Sequence, residues 1–435
     1  MISRRQAADG IPSRGRWPGT AAERASRALV LRLLARIDGG VIEIAEPAGR
    51  TLLGRQGAGE QLHVVVEVHD PAFYPRLLRG SVGLCDSYTD RMWDCDDLVT
   101  MTRIAALNVH WLDRLRRVLA PVLVPAQRAG GVVARNTPGR SRKRIAAHYD
   151  LGNELFALFL DPTMMYSCGV FERPGATLEE ASLAKLERIC DKLDLGPSDH
   201  VVEIGTGWGG FAIYAARTRG CRVTTTTISR EQHDYALERV RDAGLSGRVT
   251  VLLKDYRDLR GSFDKLVSIE MIEAVGWEYL PTFFGACSRL LREDGAMLLQ
   301  AIVIDDRAYE VEKAGRSFIN THIFPGGCLP SVEAISRSVA KATNLRHVHM
   351  EDITSHYATT LAHWRERFLA SSQRLAELGY DERFRRLWEL YLSYCEGGFR
   401  ERRIQDVQIL LAKPAYRAEP MPAISSRPGA DLAAA

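Results

Sequence analysis

The most informative stretch of the chain is Val201-Val202-Glu203-Ile204-Gly205-Thr206-Gly207-Trp208-Gly209-Gly210. Its first four residues predict a buried strand, and a helix is predicted to begin at about Phe211. The glycines between them let the backbone take positive φ angles and approach a ligand closely. In an α/β sheet that ligand lies beyond the carboxyl end of the strand. The spacing departs from the dinucleotide fingerprint, and a purely structural glycine turn is the alternative interpretation.

Short apolar runs alternate with helical stretches on both sides of this turn. The predicted strands are His200–Ile204, Arg222–Ile228, Val249–Leu253, Lys265–Ile269 and Ala296–Ile302. Such alternation is typical of a parallel sheet with crossover helices. An acidic strand end followed by this glycine pattern resembles motif I of the S-adenosylmethionine-dependent methyltransferases. The resemblance implies an α/β fold with a seven-stranded, Rossmann-like class I methyltransferase sheet.

Composition narrows the function classes. The 435 residues predict two or three domains, and 46% hydrophobic with 26% charged residues is an ordinary globular mixture. A net charge of only +4 argues against a nucleic-acid binder. No apolar run reaches the roughly 18–20 residues that span a bilayer, and the N-terminus lacks the apolar region of a secretory signal. The spacing of the eight cysteines predicts neither a disulfide framework nor a metal site.

The chain divides by pattern into five segments. Residues 1–21 and 414–435 are expected to be disordered, and 22–127 to form a small α+β domain. Residues 128–145 form a basic linker, and 146–413 form the methyltransferase-like domain. Within the first domain we predict strands at Val41–Ile44 and Leu62–Val68, then short helices from Pro71 to Leu107 and another helix over Leu107–Pro125.

Two basic segments suggest contact with a membrane. The predicted helix 22–38 alternates leucines with Arg24, Arg27, Arg32 and Arg36, and the linker carries six basic residues and no acid. Basic amphipathic segments lie on anionic lipid surfaces. The alternative is that the helix packs on its own domain and that the linker is only solvated.

A series of motifs makes the resemblance more specific. It comprises the runs 148–153 (His-Tyr-Asp-Leu-Gly-Asn), 166–168 (Tyr-Ser-Cys), 227–232 (Thr-Ile-Ser-Arg-Glu-Gln), 255–259, 273–276, 324–330 (Phe-Pro-Gly-Gly-Cys-Leu-Pro), 357–361 and 364–368, together with 83–88 near the N-terminus. In this order they resemble the cyclopropane-fatty-acyl-phospholipid synthase family over roughly residues 60–412. Related mycolic-acid enzymes lack the N-terminal domain, so the full-length phospholipid branch is the better match.

The resemblance implies S-adenosylmethionine-dependent transfer of a methyl or methylene carbon to the double bond of a phospholipid acyl chain, giving a cyclopropane fatty acid. The cofactor residues that it implies are Tyr166, Ser167, Glu203, Gly205, Gly207, Trp208, Gly209, Thr227, Ile228, Ser229, Gln232, Tyr256 and Arg257. The second strand ends without the acid that holds the ribose in many such enzymes, so hydroxyls and Gln232 are expected to replace it.

The resemblance also implies a bound bicarbonate ion as the base that removes a proton. Its site residues are Cys168, Glu273, Gln300, the backbone at Ile302, and Tyr357. Gln300 stands where the best-known bacterial synthases have histidine, and an amide donates a hydrogen bond but carries no proton. This combination resembles an actinobacterial branch, part of which is associated with methyl-branched chains of the tuberculostearic type. Ring closure and methylation or methylenation at the same double bond therefore both stay open.

The sequence predicts a cytoplasmic enzyme at the inner face of the membrane, without a nucleic-acid partner, and family resemblance suggests a homodimer. Two other classes of function were considered. A catalytically inactive lipid-binding protein is disfavoured by the intact Cys168, Glu273 and Tyr357 and by the complete glycine loop. A small-molecule methyltransferase has no need of the N-terminal domain and basic linker.

Overall fold

The computed structural model describes residues 19–109, 151–313 and 315–417. The basic linker, the 148–150 part of the first motif and most of both predicted disordered ends lie outside these residues. Two β-sheets organise the described chain, one of four strands and one of seven. No helix in this part of the chain is long and apolar enough to cross a bilayer.

The four-stranded sheet belongs to the N-terminal unit, residues 19–109. Its strands are β1 (Gly40–Glu46), β2 (Gly49–Arg55), β3 (His63–Val68) and β4 (Trp93–Cys95), in the order β2-β1-β3-β4. The helices are Ala21–Leu34, Phe73–Leu77, Ser81–Thr89 and residues 98–109. Sequence predicted β1 and β3 from their apolar runs, and burial alternates along both strands in the structure. It missed β2, a largely exposed edge strand with glycine and arginine at its start, and β4, which has only three residues.

The first helix packs on its own unit. Val30 is buried, and Leu31 and Leu34 pack against the core. Arg27 forms an ion pair with Glu46, whose side chain is buried. Thr20 and Glu23 cap the helix reciprocally, which fixes its start at Ala21. This packing supports the alternative interpretation of the helix, in which it is a surface element of its domain.

The seven-stranded sheet forms the larger part of the molecule. Its strands are β5 (His200–Ile204), β6 (Arg222–Thr227), β7 (Val249–Leu253), β8 (Phe263–Ile269), β9 (Leu291–Ile304), β10 (Arg346–Asp352) and β11 (Ile404–Ala412), in the order β10-β11-β9-β8-β5-β6-β7. Strands β5 to β9 are parallel, and β11 runs antiparallel between β9 and β10. The predicted class of sheet is confirmed, although β10 and β11 were not located from sequence.

Helices cover both faces of this sheet, which is why its central strands are apolar on both sides. They are Asn153–Ala157, Leu178–Lys192, Gly210–Arg219, Arg230–Asp242, Leu280–Leu290, Asp306–Glu312, Val332–Ala342, Thr354–Ala370, Ser372–Glu377 and Glu382–Arg400. Val201 and Val202 on β5, and Leu298 and Leu299 on β9, are completely buried. Because β5 to β9 are parallel, their carboxyl ends lie along the same end of the sheet, and the glycine turn follows β5 there.

The long helix Glu382–Arg400 joins the two units. The Arg386 guanidinium donates to the carbonyls of Tyr88 (2.8 Å) and Trp93 (3.0 Å) and lies 3.8 Å from the centre of the Tyr88 ring. Arg91 of the N-terminal unit pairs with Glu382 at the start of the helix. These contacts hold the N-terminal unit at a fixed position against the larger one.

Candidate active site

The glycine turn has the backbone that its sequence predicted. Gly205, Gly207 and Gly209 have φ angles of 105°, 52° and 85°, which residues with a side chain rarely adopt. The amides of Gly205 and Thr206 both donate to the carbonyl of Thr226 on β6, so the turn is fixed to the neighbouring strand. A Cβ atom built on Gly207 meets no atom within 4 Å, so this residue faces open space. That space belongs to a large cavity.

Most of the predicted cofactor residues line this cavity. They are Tyr166, Ser167, Glu203, Gly205, Gly207, Trp208, Thr227, Ile228, Gln232, Tyr256 and Arg257. Gly209 and Ser229 do not line it, because each begins a helix: Gly209 precedes Gly210–Arg219 in a left-handed conformation, and the Ser229 hydroxyl accepts from the Gln232 amide at 3.3 Å. These two residues shape the site through the helices that they start.

Glu203, on β5, lines the polar end of the cavity. Burial raises the pKa of this carboxyl to about 8. Within the described residues, its Oε2 atom is buried and has no hydrogen-bond partner. A buried acceptor without a partner is costly, and a ligand with donor groups removes that cost. This acceptor, the glycine turn beside it and the open space at Gly207 fit S-adenosylmethionine, whose amino-acid end carries an ammonium group.

Glu270, which sequence analysis missed, lies at the centre of the predicted catalytic residues. Its Oε1 accepts from the Cys168 amide (2.8 Å) and the Gln300 side-chain amide (2.8 Å), and its Oε2 accepts from the Tyr357 hydroxyl (2.5 Å). The residue follows β8 with a φ of 46°, a strained angle for a residue other than glycine. Three of the predicted residues therefore converge on a carboxylate of the chain itself.

A visible signal for Glu270 existed in the sequence. It is an acid directly after an apolar strand, within Ile269-Glu270-Met271-Ile272-Glu273. An acid at a strand end on the ligand-binding edge of a sheet is a candidate for function. Because the family motif lies at 273–276, the sequence analysis assigned the catalytic acid to Glu273 instead.

Glu273 lies beside Glu270 on the cavity wall. Its Oε1 accepts from the Ile302 amide at 2.6 Å, and its Oε2 is buried without a partner among the described residues. Burial, and then the nearby Glu270 charge, raise the pKa of Glu273 to about 8. At neutral pH it is therefore mostly protonated, and Ile302 supports it through the backbone, as the sequence predicted for an anion.

Gln300 is held in one orientation by a chain of hydrogen bonds. Lys192 donates to Gln408 (2.5 Å), and Gln408 donates to the Gln300 carbonyl oxygen (3.0 Å). The amide nitrogen of Gln300 must then point the other way, where it donates to Glu270 and to Asp406 (3.0 Å). Burial and the Glu270 charge raise the pKa of Asp406 well above its usual range. Asp406, on β11, was also missed from sequence.

Cys168 and Lys185 complete the surroundings of Glu270. The Cys168 thiol is buried, donates to the Gly169 carbonyl (3.1 Å), and has a pKa raised well above its usual range by burial. It is therefore a neutral thiol, and its backbone amide is the group that contacts Glu270. The buried Lys185 ammonium donates to Ser167 (2.8 Å), and burial lowers its pKa to about 8 against the attraction of the Glu270 charge.

Aromatic rings surround the cavity near these acids. Tyr166 packs against Trp364 (5.2 Å between ring centres) and Phe324 (6.3 Å), and its hydroxyl bonds to that of Tyr391 (2.8 Å). Tyr357 stacks on Phe399 at 4.2 Å. The faces of such rings attract positive charge. The site therefore combines a carboxylate with rings suited to a cationic transition state.

The cavity extends from this edge of the sheet into the N-terminal unit. Its volume is about 890 Å³. One end is bounded by Glu203, Gly207 and Glu270, and the other by apolar residues of the N-terminal unit such as Leu34, Ile44 and Val66. A polar region and an apolar region thus share one space. This arrangement suits two ligands, one polar and one largely hydrocarbon.

The fold and the site together define a class I S-adenosylmethionine-dependent methyltransferase. A family model described as mycolic acid cyclopropane synthetase matches residues 137–409. The chain belongs to this family. It is similar to the Escherichia coli cyclopropane-fatty-acyl-phospholipid synthase, with 40% identity over 80% of this chain and 87% of the relative.

Two mycobacterial proteins complete the comparison. The Mycobacterium tuberculosis tuberculostearic acid methyltransferase UfaA1 is 38% identical over 79% of this chain and 82% of the relative. The crystal structure of the mycolic acid cyclopropane synthase CmaA1 complexed with SAH and CTAB is 32% identical, with a TM-score of 0.58 over 62% of this chain and 98% of that chain. The relatives that match about four fifths of this chain thus include proteins named for both predicted products.

Proposed function

We propose that this enzyme transfers a one-carbon unit from S-adenosylmethionine to the double bond of an unsaturated phospholipid acyl chain and forms a cyclopropane fatty acid. The cavity carries this proposal, because it joins the glycine turn to an apolar space long enough to enter a second structural unit. A relative at 40% identity is named for this activity on phospholipids. The N-terminal unit, residues 19–109, which contains most of the expected 22–127 domain, would hold the acyl chain.

Different residues of the site bind the cofactor and stabilise the cation. S-adenosylmethionine supplies an electrophilic methyl group when it is bound. Glu203 and the glycine turn hold its polar end, and Tyr166 and Glu270 line the same cavity. An alkene is a weak nucleophile, so positive charge develops on the former double bond. Buried aromatic rings stabilise that charge and exclude the water that would trap it.

A bicarbonate ion does not fit the residues that sequence assigned to it. Tyr357 and Gln300 already donate to Glu270, and the Ile302 amide donates to Glu273. An added anion would meet two acidic side chains and find these donors occupied, which is unfavourable at short range. We therefore assign no step to bicarbonate.

The second candidate product is a methyl-branched or methylene-bearing chain. It is supported by the 38% identical relative named as a tuberculostearic acid methyltransferase. Ring closure and methylene formation both lose a proton from the transferred methyl group, so one base serves either outcome. The positions of the acyl carbons relative to that base decide between them.

Peripheral membrane binding and a homodimer are the finer parts of the proposal. Arg32 on the first helix and Arg36 just after it are exposed, whereas Arg27 is engaged by Glu46. Attraction to anionic lipid then rests on these arginines and on the basic linker, whose sequence has no acid. Vesicle sedimentation at rising salt checks this, because binding should weaken steeply above physiological ionic strength. Light scattering at several protein concentrations checks the dimer.

Lipid mass spectrometry tests the main proposal. A bacterial host without such activity, expressing this chain, should convert monounsaturated phospholipid chains to products heavier by one CH₂. Olefin-specific derivatisation then separates a ring, which does not react, from a methylene group, which does. A product heavier by CH₄ would indicate a reduced methyl branch instead. Unchanged lipids, with the protein folded and bound to S-adenosylhomocysteine, would contradict the proposal.

A further inference from the structure

We propose that Glu270 is a catalytic residue, the general base that removes the proton from the transferred methyl group in place of a free anion. The inference rests on the proposed function and names the base for it. Glu270 lines the cavity, as a base that reaches the substrate must. Gln300 and Cys168, which the sequence placed at the base, do not line it and act as positioning residues for Glu270.

The hydrogen bonds around Glu270 favour its charged form. The Cys168 amide and the Gln300 amide nitrogen can only donate, and both point at Oε1. The Tyr357 hydroxyl donates to Oε2. Donors directed at a carboxylate stabilise its ionised state, whereas burial opposes it. A buried carboxylate held in this way has the balance that a general base at neutral pH requires.

The neighbouring ionisable groups come from several elements. Lys185, on helix Leu178–Lys192, contributes positive charge, and Asp406 on β11 and Glu273 contribute acids whose pKa values are raised. Cys168, Tyr357 and Tyr391 are buried and neutral. Burial raises the pKa of Glu270, whereas the hydrogen bonds from Tyr357, Cys168 and Gln300 and the charge of Lys185 oppose that rise. Glu270 and Asp406 lie close enough to titrate together.

The backbone of Glu270 supports the same conclusion. Its φ of 46° costs about 1 kcal/mol or more for a residue with a Cβ, and a glycine would avoid that cost. Its amide is tied to the Gln300 carbonyl at 2.9 Å, so the conformation is fixed by β9. The strain is retained at a position where the side chain faces the cavity, which points to use of the carboxylate.

The proposed step balances without another reactant. After methyl transfer, the lipid carries a positive charge on carbon near the new methyl group. A carboxylate oxygen of Glu270 takes a proton from that methyl group, so one C–H bond breaks and one O–H bond forms. The electron pair of the C–H bond closes the ring, or forms the exocyclic double bond after a hydride shift. The neutral Glu270 then loses its proton to water when the product leaves.

The experiment measures turnover on unsaturated phospholipid vesicles in buffer freed of carbon dioxide and in buffer with added bicarbonate. The wild-type enzyme should be equally active in both. Glu270→Gln should lower turnover by about 100-fold or more, with the affinity for S-adenosylhomocysteine unchanged by calorimetry. Glu187→Gln, which changes an acid in a surface ion pair away from the cavity, is the matched control and should keep wild-type turnover.

Glu270→Ala opens space beneath the three donors and provides a second readout. Added formate or bicarbonate should restore part of its activity, and ¹³C-labelled bicarbonate should show line broadening with this variant but not with the wild type. The inference is overturned if wild-type turnover requires bicarbonate, or if Glu270→Gln turns over normally. Absence of any lipid product from the wild type in either buffer would instead count against the proposed function.

Discussion

At the scale of single residues, the site depends on side chains whose partners fix their chemical state. Gln300 can serve only as a donor to acids, because Gln408 donates to its other end. The thiol of Cys168 is neutral, so its backbone amide is the part that matters. The role of a residue in this site therefore follows more from the direction of its hydrogen bonds than from the residue type that a motif identifies.

The Gly207→Val variant tests the cofactor pocket. A branched residue at a φ of 52° is strained, and its side chain would enter the space assigned to the cofactor. We expect the affinity for S-adenosylhomocysteine to fall at least about tenfold, corresponding to about 1.4 kcal/mol, while the fold is retained. Isothermal titration calorimetry and circular dichroism measure the two effects.

Gly244→Val is the matched control for this change. Gly244 also has a positive φ, 69°, and a Cβ there meets nothing within 4 Å, but the residue does not line the cavity. It should therefore show a similar loss of stability and an unchanged affinity. Equal affinity losses in both variants would mean that backbone strain, and not the pocket, explains the result.

At the scale of elements, two strands that sequence did not locate hold the site together. β11 supplies Asp406 and Gln408, and β10 anchors helix Leu178–Lys192 through Glu351. Arg188 and Lys192 of that helix both bond to Glu351. Although burial alone would raise it, these hydrogen bonds lower the pKa of Glu351 to about 2. The same helix carries Lys185, so its position affects the charge near Glu270.

This ion-pair cluster should make stability depend on pH. A carboxyl whose folded pKa lies below its ordinary 4.5 stabilises the protein fully above pH 4.5, and the contribution is lost as pH falls towards 2. The full shift would correspond to about 3 kcal/mol, but burial of Lys192 opposes part of it, so we expect about 2 kcal/mol. The free energy of unfolding of the wild type minus that of Glu351→Gln should shrink as pH falls from about 6 to 3.

Glu179→Gln serves as the control, since Glu179 is exposed on the same helix. Urea denaturation of this variant should give nearly the wild-type free energy at each pH. A difference between wild type and Glu351→Gln that stays constant over the pH range would show that the cluster contributes through packing alone.

At the scale of the whole molecule, the cavity crosses from the seven-stranded sheet into the N-terminal unit. Neither unit encloses it alone, since Glu203 and Glu270 bound one end and Leu34 and Ile44 the other. The hydrogen bonds from Arg386 to the carbonyls of Tyr88 and Trp93 fix the position of the two units relative to each other. Cofactor binding should therefore depend on one unit, and lipid turnover on both.

The Ala106→Leu variant tests that division. Ala106 lines the cavity from the helical residues 98–109 and is only 9% exposed, so a leucine there would fill part of the apolar space. Turnover of vesicles with long monounsaturated chains should fall several-fold, and shorter chains should be affected less. The affinity for S-adenosylhomocysteine should not change. Competition assays with mixed chain lengths, read by mass spectrometry, provide the measurement.

The matched control is Ala376→Leu, which adds the same side chain at an exposed helical position outside the cavity. It should leave both chain-length preference and turnover at wild-type values. If Ala106→Leu also kept the wild-type preference, the acyl chain would have to lie elsewhere than in the N-terminal part of the cavity.

The local part of this protein could be predicted from sequence. The glycine turn after β5 needs only neighbouring residues, because positive φ angles and a buried apolar strand are properties of a short segment. The same holds for five strands of the larger sheet and for two of the smaller one. β10 has charged and histidine residues along its length, and β2 is an exposed edge, so neither carries a strong apolar signal.

The charge state and contacts of the active site were decided only by tertiary structure. Glu270, Cys168, Gln300, Tyr357 and Asp406 come from five separate parts of the chain and meet through sheet order and helix packing. Sequence analysis identifies such residues individually and does not show which of them are in contact. It does not show that the donors expected to hold a free anion are already bonded to a carboxylate, because that depends on distances between atoms far apart along the chain. The cavity shared by two units has the same origin.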